Sequence, residues 1–402
     1  MFLSNALRRG NWINKKRVVA YPAIFFCIYL FMAAVWVFNI PLIPDHKGLE
    51  FSHDFINVYA AGVASHEGHP ANVYDWDKQK NLEHQIEESG KGPTPWNGYV
   101  PWLYPPIFLG VAWLLAFLPY YYALAAYIVA GYAAYGAAVY KLARYKESKW
   151  AIAAFPGICN NLLAGQNGFI TTASLAAGIY FLDASPIAAG AFFGMLSYKP
   201  QFFVLIPLAL AVGRYWKALI ATSASAAVYA CASVAAFGLD PWQGFIRSLP
   251  LVRENILEKN ENQWLRSMHT VFSEVRMYGG ELHTAYALQA IVSIAAVLFL
   301  VWIWSRRPSL AVRGASLCAV LLLASPYSYG YDQVLLAIPI ALLAREGMQS
   351  GFLPFEKTFL FALWLLPTFF QIMGEVFAIP LTPVLLIGLM WVCWRRGKRN
   401  NL

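Results

Sequence analysis

Apolar runs of about 18 residues or more, the length a helix needs to cross a bilayer, recur along this chain from Val18 to Trp394. Inside hydrocarbon every backbone N–H and C=O must be satisfied within its own segment, which leaves helices as the spanning form for such runs. Composition agrees. The 402 residues are 59% hydrophobic and only 13% charged, about half the charge of a soluble domain. The expected fold is an all-α polytopic membrane protein, a single integral-membrane domain over residues 1–402 with about twelve transmembrane helices. A secreted disulfide scaffold, a DNA-binding domain and a cytosolic enzyme are excluded.

The net charge is +9, but where the charge sits matters more. Arg8, Arg9, Lys15, Lys16 and Arg17 precede the first apolar run, and Arg395, Arg396, Lys398 and Arg399 follow the last. Short flanks rich in Lys and Arg stay in the cytoplasm, so both termini are expected there, in a multi-pass plasma (inner) membrane protein. The basicity is a topology signal, and no nucleic-acid partner is expected. The five cysteines are far apart in apolar segments, where thiols behave as small hydrophobes. Two polar stretches, 41–102 and 238–285, then fall on the outer face, and all seven histidines lie in them. One feature breaks strict alternation. With Leu103–Leu118 and Tyr121–Leu142 each read as one span, Lys141, Arg144, Lys146 and Lys149 would face outward. A half-inserted or missed span between Leu103 and Asn167 would account for that.

Polar groups beside or within a membrane are costly, so each calls for a reason. Asp54, in Ser52-His53-Asp54-Phe55, opens an apolar segment. It is placed either to cap that helix or to take a proton from an alcohol arriving from the water side. Gly165-Gln166-Asn167-Gly168, with Asn160 and Asn161 just before it, interrupts two apolar runs. It reads equally as loop capping or as backbone lining a wet cavity. Lys199, in Ser197-Tyr198-Lys199-Pro200-Gln201, stands in the middle of an apolar stretch of 26 residues, Ile187–Val212. It either meets a buried phosphate or snorkels to an interface. Asp332, after Ser325-Pro326-Tyr327-Ser328-Tyr329-Gly330-Tyr331, caps a helix or serves a site. His66 and His69 lack a third ligand at a diagnostic distance, so the metal site is read as none. There is no phosphate-cradling glycine loop of the Walker or dinucleotide type.

In order, Asp54-Phe55 with Tyr59-Ala60, Val73-Tyr74-Asp75, Tyr104-Pro105-Pro106, Leu118-Pro119, Gly165-Gln166-Asn167, Ala189-Gly190, Lys199-Pro200-Gln201, Ser325-Pro326-Tyr327 and Tyr331-Asp332 form a set. It resembles the family-87 membrane glycosyltransferases of the GT-C superfamily. The resemblance implies a GT-C fold with its active site on the outer face. The implied donor is a polyprenyl-phosphate sugar, mannose being the best-known case, and the acceptor a lipid or glycan. The catalytic acid of the first outer loop falls on Asp54. Lys199, Arg266 and His269 become candidates for the donor phosphate. Gln166, Asn167, Tyr331 and Asp332 become candidates for sugar or acceptor. No cofactor is expected, a divalent cation being a minor alternative. The competing reading is a transporter or flippase for an anionic lipid or solute.

Overall fold

The computed structural model describes residues 2–37, 52–89, 93, 99–259, 262–369 and 381–399. Asp45, His46 and Glu50 of the first polar stretch lie outside the described residues. So do parts of the two last expected spans. The described chain is all helix, the only strand-like feature among these residues being an isolated bridge between Met268 and Tyr329.

Among the described residues three helices are long and apolar enough to cross a membrane unaided: Tyr120–Ala143, Trp216–Phe237 and Leu282–Ser305. At 1.5 Å per residue the 24-residue helices reach about 36 Å, beyond the roughly 30 Å of hydrocarbon. Several apolar helices are shorter, among them Pro106–Leu115, Gly168–Phe181, Pro186–Tyr198, Pro200–Val212 and Leu310–Ala324. What shortens them is visible in the sequence: Gly165 adopts φ +68° just before Gly168–Phe181, and Pro200 interrupts Ile187–Val212.

Two of the expected spans are not single long helices. Leu103–Leu118 is helical only in part. Its helical part, Pro106–Leu115, lies along the helix Phe55–His66. There the Trp113 carbonyl is 2.9 Å from His66 Nε2, and the Leu118 carbonyl accepts from the Tyr59 hydroxyl at 3.0 Å. Ile187–Val212 is not one helix but a hairpin. Its two ends return to the same place, where the Tyr215 hydroxyl donates to Asp183 at 2.9 Å, and Lys199-Pro200 forms the turn.

Lys141 to Lys149 lie at the end that holds the N-terminus. Lys15 lies 3.9 Å from Glu147, and Arg345 donates to the Leu142 carbonyl at 3.3 Å. The same end collects Arg313 on Asp183 at 3.0 Å, Arg307 on the Gly213 carbonyl at 2.9 Å and Arg396 on Glu356.

Candidate functional site

At the opposite end of the bundle five chain breaks converge: the start of Phe55–His66, the Tyr104-Pro105-Pro106 corner, the Gly165–Gly168 loop, the Lys199-Pro200 turn and the Tyr327–Asp332 turn. Close backbone approach explains two of the glycines. A Cβ on Gly165, already at positive φ, would stand 2.7 Å from the Ser52 Cβ, and one on Gly168 would stand 2.4 Å from the Tyr331 carbonyl oxygen. Ser52 is tied to the same loop, its N–H donating to the Leu163 carbonyl at 2.8 Å and its hydroxyl to that of Leu162 at 2.6 Å.

Asp54 opens the helix Phe55–His66 but makes no side-chain capping bond to it. Its carboxylate instead accepts from Gln166 Nε2 at 3.1 Å, and the other end of that amide accepts from the Tyr104 hydroxyl at 2.9 Å. Tyr104 is held in turn: its carbonyl accepts from the Tyr74 hydroxyl at 2.8 Å, which receives the Trp102 indole N–H at 3.3 Å. Part of the Asp54 side chain remains accessible, yet the surrounding protein pushes its pKa up to about 6. Burial is the larger influence, and the Gln166 amide opposes it by favouring the ionised form. A carboxylate with this pKa is mostly ionised at neutral pH and basic enough to share a proton with an alcohol.

Asn167 contributes an unusual feature. Its side chain is fully buried, yet neither its Oδ1 nor its Nδ2 has a hydrogen-bond partner among the described residues. Buried polar atoms are seldom left so, and Asn167 does not use its side chain to cap Gly168–Phe181. Of the two roles open to this loop, capping is therefore absent for Asn167.

Lys199 and Asp332 are brought together. Both are almost fully buried and form an ion pair at 2.5 Å, and the second Asp332 oxygen accepts from the Tyr329 N–H at 3.1 Å. Lys199 therefore does not snorkel, and its charge is already matched. Its ammonium also lies 4.9 Å from the centre of the Tyr331 ring, which stacks on Tyr329 at 5.4 Å. His269 is tied to this turn by its N–H to the Ser328 carbonyl at 2.9 Å. Burial lowers the His269 pKa to about 4, so its imidazole is neutral at physiological pH. Arg266 lies exposed on the helix Asn262–Ser267. Asp54, Gln166, Asn167, Lys199, Tyr331, Asp332 and His269 are gathered around these breaks, whereas no contact ties Arg266 to them among the described residues.

A family description, glycosyltransferase family 87, matches residues 102–326, more than half of the chain. The chain belongs to glycosyltransferase family 87. It is an enzyme of that class, which sets aside the transporter or flippase reading. Comparison with curated proteins and with solved structures returns no match. The matched stretch carries Gln166, Asn167, Lys199, Arg266 and His269. Asp54, Tyr331 and Asp332 lie outside it and adjoin Gln166 and Lys199 through the geometry above.

Several residues at this site escaped the sequence. On the helix Trp76–Glu88, Gln79, Glu83 and Glu87 are buried at four-residue spacing, a polar stripe that the helical period alone would have displayed. Glu83 accepts from the Val100 N–H and from Gln79, both at 3.1 Å. Burial raises its pKa well above the usual carboxylate range, and Asp54 is near enough to add to the rise. Glu87 faces His53 at 3.9 Å. Tyr198 was also missed; its hydroxyl meets that of Thr171 at 2.6 Å and its ring stacks on Phe108 at 4.7 Å. Only the fold brings those three residues together.

Proposed function

We propose that this family-87 enzyme moves a hexose, mannose by the resemblance, from a polyprenyl-phosphate donor to a hydroxyl of a lipid or glycan acceptor, with inversion. The observation that carries the proposal is the Asp54 carboxylate: free of a capping duty, held by Gln166, and poised near pKa 6 beside the orphaned Asn167 amide. Asp54 takes the proton of the acceptor hydroxyl while its oxygen attacks the anomeric carbon. The bond from that carbon to the phosphate oxygen breaks, and the lipid phosphate leaves as an anion. Such a leaving group needs positive charge or hydrogen-bond donors, not a proton. Lys199 is matched by Asp332 and His269 is neutral. Among the three phosphate candidates, this favours exposed Arg266 as the mobile charge. Lys199 is assigned to positioning Asp332 and Tyr331. Asn167, Tyr331 and Gln166 face the sugar or acceptor.

The basic end is assigned to the cytoplasm by the charge rule, which puts both termini inside and Asp54 on the outer face of a plasma membrane crossed about twelve times. The outer loops 41–102 and 238–285 then frame the substrate entrance within a GT-C fold. The test is transfer from a radiolabelled polyprenyl-phosphate sugar in membranes holding the wild type or Asp54→Asn. The variant is expected to lose at least about a hundredfold in transfer, with expression and insertion unchanged. Wild-type turnover by Asp54→Asn would remove the base.

A further inference from the structure

At the basic end of the bundle, opposite Asp54 and sharing none of its residues, lies a cavity of about 630 Å³. That is the size of an ordinary small-ligand site. Its walls are apolar, with Ile152, Ile340, Phe361 and Trp364 among them, while Lys15, Arg17 and Lys357 also line it. These cations are poorly matched. Glu356, next to Lys357, is taken up by Arg396, and among the described residues the half-buried Lys357 ammonium meets only the Phe352 ring, 5.7 Å from its centre. Lys15 is 3.9 Å from Glu147, the one carboxylate lining the cavity among the described residues, and its side chain is nine-tenths exposed. Arg17 donates to the Trp12 carbonyl at 2.7 Å, which leaves the rest of its guanidinium fork available.

Cations around an otherwise apolar cavity suit an amphiphilic anion. A free phosphate would make no use of the walls, and a neutral lipid would make no use of the cations. We infer that this cavity binds one anionic phospholipid from the leaflet at the basic end, its phosphate at Lys357, Lys15 and Arg17 and an acyl chain along Ile340, Phe361 and Trp364. Basic pockets between membrane helices recognise lipid headgroups in this manner. The inference needs only a membrane-embedded bundle and does not rest on the sugar-transfer mechanism.

The test uses the purified full chain in detergent with equal amounts of phosphatidylglycerol and phosphatidylcholine, retained lipid being counted by native mass spectrometry. One phosphatidylglycerol per chain is expected, in at least tenfold preference. Lys357→Gln is expected to cut retention about fivefold, and Lys15→Gln added to it about fivefold again. Ala341→Phe, which fills the cavity from its wall and leaves the cations in place, is expected to abolish retention with helical content unchanged. Three outcomes overturn the inference: equal retention of the two lipids, unchanged retention in both Lys357→Gln and Ala341→Phe, or preferential occupation by added polyprenyl phosphate.

Discussion

Gln166 has two hydrogen bonds, and their directions set its role. Its amide N–H points at Asp54 and its carbonyl receives Tyr104, so the donor end cannot turn away without breaking both. Transfer by a carboxylate base is present above a pKa of about 6 and lost as pH falls through it. Removing the donor raises that pKa further. Gln166→Leu is therefore expected to move the acidic limb of the kcat/KM profile upward by about one pH unit, since a hydrogen bond to a charged group contributes about 1.5 kcal/mol. Superimposable profiles would detach Gln166 from the ionisation. The Lys199–Asp332 pair makes a different prediction. Lys199→Met leaves a carboxylate buried without its counter-ion, at a cost of about 3–5 kcal/mol. Lys199→Met combined with Asp332→Asn, which keeps an acceptor for the Tyr329 N–H, is expected to regain most of the lost melting temperature. Equal stability of the single variant and wild type would show that the pair holds nothing. Lys199 was legible as a costly residue needing a partner. Which partner was not legible, because Asp332 lies 133 positions away and only the fold joins them.

The helices themselves follow from local composition, whereas the number of times each segment crosses does not. Tyr120–Ala143 and Leu282–Ser305 announce themselves by length and apolarity. Pro106–Leu115 and the two arms of the Lys199 hairpin are just as apolar but end too soon, and their ends are fixed by contacts with distant helices. A labelling experiment separates the two topologies. In a cysteine-free background, single cysteines at Lys146 and Arg214 are expected to react with an impermeant maleimide from the same side as one at Arg399. A cysteine at Lys80, exposed on Trp76–Glu88, is expected to react only from the other side. Were Lys146 to label together with Lys80, the re-entrant reading of Pro106–Leu115 would fail and strict alternation would return.

Across the whole molecule the carboxylates differ in what faces them, and ion pairs such as Lys199–Asp332 occur at both ends. At the basic end the described acids Glu147, Asp183, Glu346 and Glu356 each face a cation: Lys15, Arg313 and, for the last two, Arg396. At the other end carboxylates such as Asp54 and Glu83 have only neutral hydrogen-bond donors against them. Burial can then raise the pKa values of Asp54 and Glu83, while ion pairs fasten the structure around other carboxylates. Arg396 is the strongest fastening. It is completely buried near the C-terminal end of Leu381–Arg399 and bonds both Glu356 oxygens. It also lies 3.6 Å from Glu346 and donates to the Gly351 carbonyl at 3.3 Å, so one side chain binds the last helix to two others. Arg396→Met strands two carboxylates and is expected to lower stability by about 3–5 kcal/mol. It is read as a lower melting temperature in detergent, with the pH profile of transfer unchanged because Asp54 sits at the far end. Arg396→Met with Glu356→Gln is expected to recover part of the loss, Glu346 remaining without its cation. A shift in the pH profile, or no loss of stability in the single variant, would contradict this separation between an end that holds the bundle and an end that works.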